Sequence, residues 1–213
     1  EFTIIKNFNS YKRIGTTIDD ALGEAFDKTA RLLKMGYPGG PEIEKYAALG
    51  DENTFQLPMP IINESNAHFS FAGLKSAVAN IVAKNRCTEK FKKDMAASFQ
   101  ATINKIIFTK TQNAIREYKR VIKSKKTLKV VVAGGVAANK SIRRSLKAIE
   151  SMEDCQFLFP SIKYCTDNGA MIALAGIERF ERKKFNNLNF KPRPRWPLDK
   201  NAVFMKGKRA VGG

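Results

Sequence analysis

Val131-Val132-Ala133-Gly134-Gly135-Val136-Ala137-Ala138-Asn139 is the stretch on which the fold turns. A mostly apolar run over residues 128–132 halts at a glycine pair, and a helix-like segment opens near Asn139. A strand that ends in glycines and feeds a helix makes a phosphate cradle. Gly134 and Gly135 let the backbone approach an anion with no Cβ in the way, and free amides at the helix start face it. An ordinary βα turn has the same pattern, so both readings stand on this stretch alone.

Working outward, the pattern alternates. Residues 2–6 read as a strand of strong β-formers and residues 17–33 as a helix, with Thr17 as N-cap and Asp19 and Asp20 in its first turn. Tyr37-Pro38-Gly39-Gly40-Pro41 breaks the chain, and Pro41 suits the first turn of a second helix over 42–49. Residues 50–66 read as loop with an extended piece at 54–57. Residues 71–82 and 91–122 read as helices. After the strand at 128–132 come a helix at 140–149, a strand at 155–159 and a helix at 167–180 with Asn168 and Gly169 near its start. Strands separated by helices predict an α/β chain, with a helical insertion at about 41–122. Residues 1–198 form its main body, and 199–213 a poorly ordered basic tail.

The chain has 213 residues and is 43% hydrophobic, enough for a real core. No apolar run is long enough to span a bilayer, so no membrane is expected. Cys87, Cys155 and Cys165 show no CxxC spacing, which predicts free thiols, a reducing compartment and a cytoplasmic protein rather than a disulfide scaffold or zinc finger. The net charge is +18, and residues 179–209 carry eleven Lys or Arg against two acids, half of that excess. Two readings of the charge compete: a polyanionic partner such as RNA, or solvated lysine-rich faces. Arg193, Arg195 and Trp196, stiffened by three prolines, either clamp nucleic acid or pin the tail to the domain. Taken singly, Asp167 reads as an N-cap and Asp27 as a helix acid paired with Arg31. His68, the one histidine, is weak for catalysis or metal binding.

Six ordered blocks change the weighting: residues 18–28 (IDDALGEAFDK), 36–41 (GYPGGP), 69–75 (FSFAGLK), 131–139 (VVAGGVAAN), 165–173 (CTDNGAMIA) and 193–198 (RPRWPL). Together they closely resemble the bacterial TsaD family, tRNA threonylcarbamoyladenosine-forming transferases once described as glycoproteases. The resemblance implies an actin-like ATPase fold of two αβ halves, of which this chain matches the second with its helical insertion. It implies transfer of a threonylcarbamoyl group from threonylcarbamoyl-adenylate to N6 of the adenosine beside the tRNA anticodon. Carried over position by position, Asp27, Gly40 and Asn139 match adenylate-binding residues, Gly134 and Gly135 fit the same cleft, and Asp167 matches a ligand of one divalent metal, iron or zinc. The family's HxxxH pair and its SGGHT-like loop lie upstream of the first strand. His68 matches no metal ligand, so metal binding by this chain is expected to be weak or absent, and the chain is expected to be a C-terminal portion with apolar surface uncovered. Expected partners are tRNA, a TsaB-like paralogue and a TsaE-like ATPase; no catalytic residue is assigned. A non-catalytic scaffold role is the alternative, while the older protease reading finds no HExxH here.

Overall fold

The structure is a computed structural model that describes residues 1–124, 126–192 and 196–203. It opens with a hairpin, β1 (Phe2–Asn7) and β2 (Ser10–Gly15), paired antiparallel with Ile4 opposite Lys12 and Ile5 opposite Tyr11. The turn between them places Asn9 at φ 66°, a left-handed conformation that Asn tolerates. Only β1 was expected. β2, SYKRIG, is largely polar and is held as a strand by its partner rather than by its own pattern.

The first helix starts later than predicted. α1 runs Leu22–Leu32, and Thr17 is not its N-cap; Ala21 holds that position, with its amide donating to Glu24. The residues ahead of α1 are claimed by a distant segment. The Ile18 amide donates to the Phe69 carbonyl and the Phe69 amide to the Thr16 carbonyl, each at 2.9 Å. Asp19 accepts from Ser70 Oγ at 2.5 Å and from the Phe71 and Ala72 amides at 2.8 and 3.3 Å, so it caps α3 (Ala72–Lys84) rather than α1. Asp20 accepts from Lys75 at 2.9 Å and Lys28 at 3.2 Å, and these bonds hold its carboxyl below the usual range. The IDD and FSFAGLK blocks are therefore two sides of one tie.

α2 (Gly39–Ala47) follows, with Pro38 at its N-cap. The 54–57 piece lies in loop, not in a strand. α4 (Glu89–Val121) is a 33-residue rod capped by Thr88, whose side chain accepts from the Phe91 amide. β3 (Leu128–Val131) and β4 (Cys155–Leu158) pair in parallel, Leu128 opposite Cys155 and Val131 opposite Leu158, with α5 (Lys140–Lys147) crossing between them. A parallel pair joined through a helix is the βαβ connection that α/β chains use, so the coarse class stands. α1 to α5 and β4 share one core: Phe26, Leu33, Ile43, Leu74, Met95, Phe99, Ile142 and Phe157 belong to a single buried cluster. Phe26 meets Phe99 edge to face at 5.3 Å.

α6 (Gly169–Glu181) stands apart from that core. None of its residues is buried, and Ile172, Leu174 and Ile177 are 66%, 60% and 55% exposed. This is the uncovered apolar surface the sequence leads one to expect. Arg193 and Arg195 lie outside the described residues. The segment beyond them returns to the hairpin, where Asp199 accepts from the Arg13 amide at 2.9 Å and the Arg13 guanidinium donates to the Val203 carbonyl. Among the described residues no helix is long and apolar enough to cross a membrane. The three cysteines are free.

His68 belongs to the scaffold. Its Nδ1 accepts from the Thr16 amide at 3.2 Å, and burial pushes its pKa below the ordinary histidine value of 6.5. The folded chain thus resists the proton that the unfolded chain takes up as pH falls through 6.5. Stability should drop between pH 7 and pH 5. His68→Gln should flatten that part of the melting-temperature profile; an unchanged slope in the variant would assign the loss to other groups.

Candidate functional site

The loop after β3 and the turn before α2 face each other across a cavity of about 540 Å3. Its walls include Phe26, Asp27, Gly40, Glu44, Gly135, Val136, Asn139 and Thr166. Four of the five predicted adenylate residues therefore come together from three separate segments. The cavity has the size of a small-molecule site, and its Phe, Pro, Val and Ile walls with a few polar groups suit a flat aromatic ligand.

Each segment is placed for a visible reason. α1 presents Asp27, whose Oδ1 accepts from the Gly39 amide at 2.8 Å and so ties α1 to the start of α2. The Asp27–Arg31 pair that spacing alone suggests is not what the carboxylate does. Gly39 is pressed against α1, whereas a Cβ on Gly40 would meet nothing within 4 Å and would open into the cavity side. Gly134 sits at φ 93°, a conformation that costs side-chain-bearing residues, and turns the chain from β3 into a one-turn 3-10 helix at Gly135–Ala138. Gly134 makes the turn but is not among the lining residues, whereas Gly135 is. Arg143 braces the turn from behind: its guanidinium donates to the Ala137 carbonyl and, at 2.9 Å, to the Pro160 carbonyl.

One expectation needs correction. The first amides of α5 are not free for an anion. Glu44 Oε1 accepts from the Lys140 and Ser141 amides at 2.7 and 3.3 Å, and Asn139 Oδ1 accepts from the Ile142 amide at 2.9 Å. A carboxylate reaching from α2 already occupies the positive end of the helix. Glu44, Gln100 and Arg143 are the site-building residues that sequence reasoning missed; their partners lie 39 to 97 residues away or on backbone atoms, where no local pattern reports them.

Asp167 is exposed and stands just before α6, beside Thr166 of the cavity wall. It is not the N-cap of that helix: Asn168 is, accepting from the Met171 amide at 2.9 Å. Among the described residues no group of three or more His, Cys, Asp or Glu is placed to hold a metal ion. The described residues here do not by themselves fit a metal.

The family model of TsaD, described as tRNA N6-adenosine threonylcarbamoyltransferase, matches residues 1–174. A tRNA N6-adenosine threonylcarbamoyltransferase of Pelagibacter ubique (strain HTCC1062) is 50% identical over 207 residues, covering 97% of this chain and 57% of the relative. Relatives of the same description from Rickettsia massiliae (strain Mtu5) and Bartonella henselae are 46% and 43% identical, covering 93% and 96% of this chain. The chain spans 57–58% of the length of these curated relatives. With a family match over most of its length, and the cleft residues of that resemblance gathered on one cavity, the chain belongs to the TsaD family.

Proposed function

We propose that this chain supplies the adenylate-binding side of an enzyme that transfers a threonylcarbamoyl group to N6 of an adenosine in tRNA. The carrying observation is the convergence of Asp27, Gly40, Gly135 and Asn139 on one 540 Å3 cavity. In this reading the architecture is the second half of an actin-like fold, and the adenylate lies against the glycine turn. Phe26 and Val136 flank the base, Gly40 leaves room, and Asn139 and Asp27 fix polar atoms. The exposed face of α6 lies against the remainder of the enzyme. Asp167 contributes one ligand to an iron or zinc site that needs histidines from elsewhere. A TsaB-like paralogue and a TsaE-like ATPase are the proposed protein partners.

The test is nucleotide binding. A threonylcarbamoyl-adenylate analogue should bind the chain weakly, and Asn139→Ala should weaken it about tenfold, the worth of one hydrogen bond with its desolvation. Asp27→Asn keeps the acceptor for the Gly39 amide and isolates the role of the charge. Calorimetry in which neither change alters binding would place the ligand elsewhere.

tRNA binding should be steeply salt-dependent, each phosphate contact adding roughly 0.7 to 0.9 to the slope of log affinity against log salt. Deleting residues 190–213 should shallow that slope, because this span lies within the most basic stretch of the chain. A deletion that folds and keeps the full slope would shift the RNA contact to the body of the protein.

A further inference from the structure

Asn139 is 7% exposed and Gln100, behind it on α4, is 4% exposed. Two buried amides in contact must be oriented, because each has one acceptor end and one donor end. Here the orientation has an anchor. The Ile142 amide can only donate, so the Asn139 atom it meets at 2.9 Å is Oδ1. Asn139 Nδ2 must then donate, and it meets Gln100 Oε1 at 2.8 Å. Gln100 Nε2 in turn donates to Asn104 Oδ1 at 2.9 Å, one helical turn along α4, and Asn104 Nδ2 donates to Ser141 Oγ at 2.8 Å. The line starts at the cleft and ends in a second cavity of about 820 Å3, which Gln100, Asn104 and Ser141 line.

We propose that Gln100 is a positioning residue: its side-chain oxygen locks Asn139 in one orientation at the cleft, and the amide line through Asn104 to Ser141 locks Gln100. This rests on the adenylate reading of the cleft. A flipped Asn139 would set its oxygen against Gln100 Oε1 and its amino group against the Ile142 N–H, so the flip is closed off from both sides. With Oδ1 engaged by the helix amide, Asn139 meets a ligand through its second Nδ2 hydrogen. The position therefore offers a ligand a donor that suits an acceptor atom, a purine ring nitrogen or a ribose oxygen.

The experiment uses the whole 213-residue chain, labelled with nitrogen-15. Side-chain amide exchange of Asn139 is followed by NMR, and affinity is read by titration with ATP. In the wild type the Asn139 amide protons should exchange slowly. Gln100→Met should speed their exchange at least tenfold and weaken ATP about tenfold, the effect of one buried polar partner lost. Gln100→Glu, which keeps an oxygen facing Asn139, should recover most of both. If Gln100→Met fails to fold, Asn104→Ala, which unpins Gln100 but leaves its contact with Asn139, should give the same changes in smaller measure. Unchanged exchange and affinity in either variant overturns the proposal. ATP binding that is absent in the wild type, or indifferent to Asn139→Ala, overturns the adenylate reading instead, and the exchange data alone then decide whether Gln100 positions Asn139.

Discussion

Gly39→Ala and Gly40→Ala, adjacent and chemically identical changes, are expected to act in opposite directions. A Cβ on Gly39 would lie 2.7 Å from Asp27 Cα, 2.8 Å from Ala30 Cβ and 2.9 Å from the Phe26 carbonyl oxygen. Two of these are backbone atoms inside a helix and cannot swing aside, so α1 and α2 must move apart. Overpacking of this kind costs roughly 1–3 kcal/mol. The separation also stretches the 2.8 Å bond from the Gly39 amide to Asp27 and loosens the cavity wall. Gly40 meets nothing. Alanine there should leave stability unchanged or raise it by up to about 1 kcal/mol, the difference in helix propensity, while intruding on the space proposed for the adenylate. Urea unfolding followed by circular dichroism, paired with nucleotide titration, separates the two. A Gly39→Ala chain as stable as wild type would mean that α1 and α2 are not in rigid contact.

The second large effect is expected at Lys110. This side chain is fully buried on α4, and its ammonium donates to the carbonyls of Ile61, Glu64 and Asn66 at 2.6, 2.8 and 3.3 Å. Burial holds its pKa below the ordinary lysine value. Asn113 shares the load, donating to the Glu64 and Asn66 carbonyls at 3.1 and 2.9 Å. Lys110→Met keeps the stem and removes the charge. The Glu64 and Asn66 carbonyls keep Asn113, but the Ile61 carbonyl loses its lysine donor. The Ile61 carbonyl still accepts from the Glu64 amide at 3.1 Å, so no acceptor is orphaned. Losing hydrogen bonds from a charged donor costs roughly 1.5–3 kcal/mol, less whatever is regained by no longer desolvating the ammonium. The loss should be local first, with faster amide exchange and proteolysis at residues 61–66 before the global transition. A variant whose loop stays protected would show that the apolar contacts hold that loop unaided.

The sequence was most legible where structure is local. α4 and α5, the β3–glycine–α5 passage and the two strands β3 and β4 follow from apolar runs and glycines, each shifted by a few residues at most. It was least legible where a residue answers to a distant partner. Thr17 and Asp19 carry a good N-terminal helix signal, yet Asp19 spends its carboxylate on the amides of Phe71 and Ala72, and the chain bends accordingly. Polar β2 depends on β1. Asp27 was singled out only through resemblance; its bond to Gly39 spans 12 residues and leaves no periodic trace. The free-amide expectation at α5 failed for the same reason, because Glu44 comes from another helix. Distance in sequence, more than chemistry, decided what could be read.

α4 has a further consequence, one of phase and length. Ser98 holds the Phe55 amide, Gln100 holds Asn139, Lys110 and Asn113 hold residues 61–66, and Lys119 pairs with Glu153 at 2.5 Å. One helix of about 50 Å thus sets several fastening points on a common thread, at 1.5 Å and 100° per residue. A single residue inserted between Gln100 and Lys110 would turn everything beyond it by about 100°, aiming the lysine away from the carbonyls it binds. Seven inserted residues would nearly restore the angle and still displace the lysine by about 10 Å. The surface loops can absorb added residues; this helix works as a screw of fixed pitch, and its length between fastenings is part of the site.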